Sequence, residues 1–450
     1  MIHLHQTIAV LPSMEVEIVS RETIKPSTPT LPHYRTYNLS FLEQLNPRTY
    51  TPIVYFYPKE ASASDHYPNF CDKSDQLKKS LSETLAIYYP FSGRIKDRVS
   101  IDCNDEGVIF IEARIKVQLS QILEQPKDEE LDLLFTDKLQ WNDDSNLTVI
   151  LAVQVSFFDC GGMAIGICMS HKVADTSTMI NFINDWAAMT RDHKADQYVS
   201  PKFIAETVFP RGEIPLPPES VIEKGDCISK RYVFDASKIA ALKALVCDKV
   251  QNPTRVEVVT AFIHRCAISA LKSNSGSLSN PNTLLIQTVN MRARMVPPLP
   301  KSSVGSMVWY YAVSTAEEES VIELHELVTQ MKERMAQFCG TYLEKFGKEW
   351  PSIFLECMEE SRKSFHIQNL VVYRCSSWCR FPIYEADFGW GKPIWVTIAS
   401  CVLKNTIFLI DARNGEGIEV YVNLEKQHMD MFERDPELLA FASLNPSVLI

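Results

Sequence analysis

Residues 163–175 read Met-Ala-Ile-Gly-Ile-Cys-Met-Ser-His-Lys-Val-Ala-Asp. Met163 to Met169 is an apolar run of strand length, and it ends at His171. About five residues later the spacing changes. Met179, Ile180, Phe182, Ile183, Trp186 and Ala187 fall on one face of a helix. Upstream, Leu147 to Phe158 is rich in Val, Ile, Leu and Phe, with Gln154 interrupting, and reads as a mostly buried strand. Strands feeding a helix, with a histidine at the junction, predict an α/β or α+β protein. A strand-to-helix junction is also where such a protein usually exposes a reactive side chain.

The alternation continues outward. Asp235 precedes Ile239, Leu242, Leu245 and Val246, a capped amphipathic helix. Thr254 with Glu257 three residues on is a capping-box pattern before Val259, Phe262 and Ile263. A longer helix is predicted over Ile322 to Phe338. Strands are predicted at Ile394 to Leu403, Thr406 to Ile410 and Ile418 to Val422, with turns at Lys404-Asn405 and Asn414-Gly415. The clearest seam is Arg191 to Pro218, which holds Pro201, Pro210, Pro215, Pro217 and Pro218. Proline cannot donate to a ladder or continue a helix, so the seam reads as a crossover linker. It separates an N-terminal domain over 1–190, carrying His171, from a C-terminal domain over 219–450. The polar stretch Lys272 to Asn282 reads as a surface loop.

Composition narrows the function. The 450 residues include 56 acidic and 45 basic ones, a net charge of −11. Phosphate contacts need clustered Lys and Arg, so nucleic acid is not an expected partner. No export signal is expected at the N-terminus, and no apolar run is long enough to span a membrane. The 12 cysteines are scattered, with no C-x-x-C, as free thiols in a reducing cytosol would be. Glycine numbers 15, about half the usual share, and neither a dinucleotide nor a P-loop fingerprint occurs. No G-x-S-x-G is present. His325-Glu326 begins like a zinc helix, but Thr329 stands where the second histidine should be, so no metal site is expected.

Three stretches remain. In Ser170-His171-Lys172-Val173-Ala174-Asp175 the imidazole can take a proton from an alcohol and return it to a leaving group. The alternative is an ordinary histidine with Asp175 as a helix N-cap. Asp387-Phe388-Gly389-Trp390-Gly391-Lys392-Pro393 would give tight backbone geometry before a strand. Its aspartate is expected to be tied to an arginine or to backbone N–H groups rather than to do chemistry. Ser376-Ser377-Trp378 offers the hydroxyl and indole donors an oxyanion needs, or else a capped loop with a core tryptophan.

Together these stretches resemble the plant BAHD acyltransferases, which use coenzyme A thioesters. His171…Asp175 and D-F-G-W-G-K-P occur in the family's order. Similar stretches run almost the whole length: Leu39-Ser40-Phe41-Leu42, Tyr88 to Arg94, Gly161-Gly162, Asn290-Met291-Arg292, Pro297 to Pro300, and Asn445-Pro446-Ser447. Within the family the chain looks most like the vinorine synthase-like alkaloid acetyltransferase branch. It departs from the pattern at Thr176 (often Gly), Asn290 (often Asp), Ser306 (usually Asn) and His264 (often Trp).

The resemblance implies an α/β fold of two chloramphenicol-acetyltransferase-like domains, with a channel between them. It implies acyl transfer from acyl-CoA, with acetyl-CoA the expected co-substrate, to a hydroxyl of a plant specialised metabolite such as an alkaloid. His171 would be the general base, and Ser376 and Trp378 would stabilise the oxyanion. Asp175, Arg292, Asp387, Gly389, Trp390 and Gly391 would be structural. Asp175 is expected to pair with Arg292, with Arg294 the second choice, and to point away from the channel. Thr254 and Arg255 resemble the family stretch near the coenzyme, though Thr254 and Glu257 could simply cap each other. No tightly bound cofactor is expected, and the chain is read as a cytoplasmic monomer. The rival readings are N-acylation, an aromatic acyl donor, or a catalytically silent binding protein on the same fold.

Overall fold

The computed structural model describes residues 14–59, 70–136, 138–144, 146–191, 200–211, 223–274, 281–315, 322–342, 350, 352–356, 359 and 369–448. The first half supplies β1 (Val16–Ile24), β2 (Thr36–Asn38), β3 (Tyr50–Tyr57), β4 (Arg94–Ile95), β5 (Ser100–Asp102), β6 (Val108–Ile115), β7 (Leu151–Phe158) and β8 (Met163–Ser170). The second supplies β9 (Cys227–Phe234), β10 (Asn282–Asn290), β11 (Val308–Thr315), β12 (Leu370–Ser377), β13 (Trp395–Thr397), β14 (Thr406–Asp411), β15 (Ile418–Glu425) and β16 (Ser443–Leu444).

Among the described residues these strands form two large sheets and one small one. The first large sheet runs β1-β6-β7-β8-β3-β13 and is antiparallel except for the β6–β7 pair. Both β7 and β8 are buried at every position, which is why they read as apolar runs rather than as alternating strands. Ile165, Ile167 and Met169 face one core with the helices Phe70–Ile87 and Thr176–Arg191, whereas Ala164 and Cys168 face another core with Phe56 and Leu134. The second large sheet runs β11-β10-β12-β14-β15-β9-β16, with β10, β12 and β14 mutually parallel. The helix Arg255–Asn274 covers it, packing Val258, Val259, Phe262 and Ile263 against Leu285, Cys375, Leu409 and Val420. The fold is α/β with two units, as expected.

Several local expectations hold. The Asp235 carboxylate caps its helix on the Lys238 amide, and Asn414-Gly415 turns β14 into β15. The helix predicted over Ile322 to Phe338 spans Leu324–Gln337. The strand expected from Ile394 to Leu403 does not form as predicted. Only Trp395–Thr397 is a strand, and it pairs with β3 in the first sheet. The Lys404-Asn405 turn therefore leads into β14 without closing a hairpin. Beyond Thr397 the backbone leaves the ladder: Ser400 N–H donates to Asp132, and Cys401 N–H to Ser229 Oγ. The run is apolar because it threads between cores, Ala399 facing one and Ile398, Cys401 and Leu403 another. Hydrophobicity alone could not separate that path from a strand.

The crossover and the Lys272–Asn282 loop lie partly outside the described residues. Where it is described, the crossover holds a one-turn helix, Ala205–Val208. Lys202 bridges Ser303, and the Phe209 carbonyl accepts from the Phe41 amide. All described cysteines are free thiols. Among the described residues no cluster of acidic, His and Cys side chains could hold a metal ion, and no helix is long and apolar enough to cross a membrane.

Candidate active site

His171 follows the last residue of β8. Its amide donates to the Thr49 carbonyl at 2.7 Å, so the strand's pairing with the β3 side continues just far enough to fix the histidine backbone. The chain then turns, Val173 and Ala174 both donating back to the Ser170 carbonyl. Lys172 points into the protein and is fully buried. Its ammonium donates to the carbonyls of Gln44 and Asn46 at 2.9 and 3.0 Å, at the end of the short helix Phe41–Leu45. A buried ammonium is tolerated here because carbonyl dipoles at a helix C-terminus receive it.

Asp175 caps the next helix: its Oδ1 accepts from Thr178 N–H at 2.9 Å. The same carboxylate forms a fork with Arg292, at 2.6 and 3.1 Å, and accepts from Met307 N–H at 3.0 Å. It bonds Arg292, not the imidazole ring. Both side chains are almost fully buried, 2% and 3% exposed. Arg292 also donates to the Ser303 and Gly305 carbonyls, to Thr178 Oγ1 and to Asn290 Oδ1. Asn290 keeps the acceptor oxygen that this arginine needs despite departing from the family's usual aspartate. The pair thus joins a helix start in the first half to two loop segments in the second.

The loop held by Arg292 carries Ser306, whose hydroxyl lies 3.3 Å from His171 Nδ1. Burial pushes the imidazole pKa down. A hydrogen bond to its own backbone and the nearby Asp175 charge oppose that shift. The ring is therefore biased toward the neutral form that a general base requires, and Nδ1 is the nitrogen facing protein groups.

Ser376 closes β12 with Ser377, and Trp378 follows, its amide donating to the Leu409 carbonyl at 2.7 Å. The indole N–H donates to Ser376 Oγ at 3.3 Å. Its donor is therefore used internally, leaving the serine hydroxyl proton to point elsewhere. The Trp378 ring packs on Phe408, which stacks on Trp141. All three belong to the large core cluster that also holds Val173, Val304 and Phe388.

The Asp387 segment lies elsewhere. Its carboxylate accepts from the amides of Gly389 and Gly391 at 2.8 and 3.0 Å, and Arg191 donates to its carbonyl. Both glycines have positive φ, +110° and +97°, which a side chain would strain. Phe388 packs on Trp186 and Tyr57, and the Tyr57 hydroxyl holds the Ala386 carbonyl. Tyr57 pairs with Met163, at the opposite end of β8 from Ser170. At ~3.3 Å per residue that is roughly 23 Å along the strand from the histidine end.

Thr254 and Glu257 cap each other reciprocally. The Arg255 guanidinium pairs with Asp411 at 3.0 Å and donates to the Gly415 and Glu416 carbonyls. Its side chain is 28% exposed. The helix Arg255–Asn274 thus begins with its first cation already partnered.

Sequence reasoning noted Ser306 only as a departure and passed over Lys172 and Glu43. Glu43 carried a signal, since Ser40-x-x-Glu43 is a capping box. Ser306 carried none, because its contact with His171 spans 135 positions.

His171 is thus a partly buried histidine at a strand end, held among residues from both halves of the chain. The Transferase family model matches residues 14–439, and the chain belongs to that family, the acyl-CoA-dependent BAHD acyltransferases. It is 40% identical over 427 residues to akuammiline synthase 1 of Alstonia scholaris, covering 95% of this chain and 97% of that one. It is 37% identical over 443 residues to a 17,18-epoxy-17-hydroxycur-19-ene N-malonyltransferase of Strychnos nux-vomica, covering 98% and 92%. Among solved structures it resembles vinorine synthase, with a TM-score of 0.83 and 32% identity over 96% of this chain and 100% of that one.

Proposed function

We propose that the protein transfers an acetyl group from acetyl-CoA to a hydroxyl of a plant specialised metabolite such as an alkaloid, with His171 as the general base. The observation that carries this reading is the setting of His171: a neutral-biased imidazole whose Nδ1 is turned to Ser306, leaving Nε2 for substrate. Nε2 takes the acceptor's hydroxyl proton as its oxygen attacks the thioester carbonyl. The carbonyl becomes a tetrahedral oxyanion, to which Ser376 donates while Trp378 orients the serine from behind. The C–S bond then breaks, and the imidazolium returns its proton to the departing thiolate. General-base action supplies about 10²–10⁴-fold and an oxyanion donor about 10²–10³-fold, the remainder coming from alignment of the two substrates. The donor would sit near the Thr254–Arg255 helix start. Asp175, Arg292, Asp387, Gly389, Trp390 and Gly391 would fix backbone rather than touch reacting atoms. On this reading the protein works as a monomer in the cytoplasm, with acyl-CoA as a diffusing co-substrate.

The test is release of free coenzyme A from acetyl-CoA in the presence of a panel of plant alcohols and alkaloids, with products identified by mass. His171→Ala is expected to cut turnover at least ~10²-fold. A folded variant with near-normal turnover overturns the reading. Asp387→Ala is expected to lose thermal stability along with activity; loss of turnover alone would give that carboxylate a direct role. N-acylation is the second reading, favoured by the 37% identity to an N-malonyltransferase. Paired assays with amine acceptors and malonyl-CoA separate the two.

A further inference from the structure

The helix Phe41–Leu45 is only five residues long, yet it touches the site from two directions. Its C-terminal carbonyls hold Lys172, the residue after His171. Its Glu43 side chain is completely buried and reaches the loop on the other side of the imidazole. Glu43 Oε2 accepts from the Ser40 amide at 2.7 Å, and Oε1 accepts from the Tyr37 hydroxyl at 3.1 Å. Oε1 also lies against the Gly305–Ser306 turn, 3.0 Å from where a Cβ on Gly305 would stand, and the Ser306 N–H helps to lower the carboxyl pKa. Every one of these partners is a donor and pulls the pKa down, but burial is the larger effect and pushes it up to about 7, so the carboxyl is only partly ionised near neutral pH.

Gly305 makes this approach possible. Its φ is +135°, and a Cβ there would lie 3.0 Å from Glu43 Oε1 and 2.9 Å from the Ala205 Cβ. The peptide between Gly305 and Ser306 is therefore fixed from two sides. Arg292 and Thr178 hold the Gly305 carbonyl, and Glu43 Oε1 packs against Gly305. What that peptide carries is the hydroxyl 3.3 Å from His171 Nδ1. The ring's hydrogen bond to its own backbone already requires a ring N–H, and the serine hydroxyl, which can donate or accept, adapts to it and fixes where the ring lies.

We propose that Glu43 is a positioning residue for His171: by bracing the Gly305–Ser306 turn it places the Ser306 hydroxyl against Nδ1 and holds the ring so that Nε2 stays free to act as base. The inference rests on His171 being that base. It assigns a role to the helix Phe41–Leu45 that the chemistry at His171, Ser376 and Trp378 does not otherwise use.

The experiment is a double-mutant cycle on kcat and both KM values. Glu43→Ala removes the anchor and is expected to lower kcat by roughly 10- to 100-fold, the scale of a small misplacement of a reacting group, with both KM values within about twofold. Glu43→Gln keeps an acceptor oxygen of the same reach and is expected to recover most of that loss. Ser306→Ala removes the hydroxyl through which Glu43 acts. The Glu43→Ala/Ser306→Ala double variant should therefore be no slower than Ser306→Ala alone. Thermal melts accompany each variant. Losses that multiply in the double variant, or a Ser306→Ala enzyme with wild-type kcat, overturn the inference. His171→Ala run beside them keeps the two readings apart: near-normal turnover there refutes the base, whereas an inactive His171→Ala with additive Glu43 and Ser306 losses refutes only the positioning role. If Glu43→Ala fails to fold, Glu43→Asp, which keeps the charge and shortens the reach, takes its place in the cycle.

Discussion

Replacing Asp175 by alanine should unfold the protein before it says anything about catalysis. The carboxylate accepts four hydrogen bonds: two from Arg292, one from Thr178 N–H and one from Met307 N–H. All four donors would be left in a site only 2–3% exposed, where water cannot replace the lost acceptor. Removing one partner of a buried ion pair costs about 3–5 kcal/mol, because the remaining charge stays desolvated and unpaired. At ~2–4 °C per kcal/mol for a domain of this size, the melting midpoint should fall by roughly 6–20 °C. Asp175→Asn keeps one acceptor oxygen and the shape, so it should lose clearly less. Replacing both partners with apolar residues, Asp175→Leu with Arg292→Met, should be milder than Asp175→Ala alone, since no charge is left stranded. Circular-dichroism melts read the stability and coenzyme A release reads the rate. An Asp175→Ala protein that melts within about 1 kcal/mol of the parent yet loses turnover would refute a structural role.

Two further outcomes follow from groups at the edges of the site and in the core. Arg255→Glu should raise the KM for acetyl-CoA at low salt, leave the acceptor KM nearly unchanged, and do so less at high salt, where charge is screened. An unchanged donor KM at low salt would place the phosphate site elsewhere. His264 is buried against Tyr373 with no partner on either ring nitrogen, and burial pushes its pKa down to about 3. Above pH ~6.5 the ring is neutral whether the chain is folded or not. Below it the unfolded chain takes up a proton that the folded one refuses, so stability falls progressively toward pH ~3. At pH 5 the loss is about 2 kcal/mol, and His264→Phe should abolish it. Urea titrations at pH 7 and pH 5 check this, and equal pH sensitivity in both proteins would contradict it.

Local and periodic features of this chain were legible in its sequence. β7 and β8 announced themselves as apolar runs because both faces of the sheet are covered, and Asp235 and Thr254 cap helices through side chains within three residues. His171 was legible as a strand end. Its braces are remote: Arg292 lies 117 positions from Asp175, and Ser306 lies 135 from His171. Only the resemblance made the Arg292 pairing foreseeable, and nothing local reports Ser306. Ile394 to Leu403 misled because burial between cores and burial within a sheet leave the same apolar signature, while the hydrogen-bond partners that tell them apart, Asp132 and Ser229, sit far back in the chain.

The place of β13 has a consequence for synthesis. The first sheet is six-stranded only once Trp395–Thr397 lies beside β3, yet its other strands have all left the ribosome by Ser170. At ~5–20 residues per second, the intervening 225 positions (395 − 170) take on the order of 10–45 s. Throughout that interval the outer edge of β3 at Val54–Phe56, in a strand wholly buried in the finished protein, lacks its ladder partner. An open apolar edge of that kind invites pairing with another chain. Nascent chains ending before Trp395 should therefore be the form most dependent on chaperones, and their yield should limit how much enzyme a cell can make.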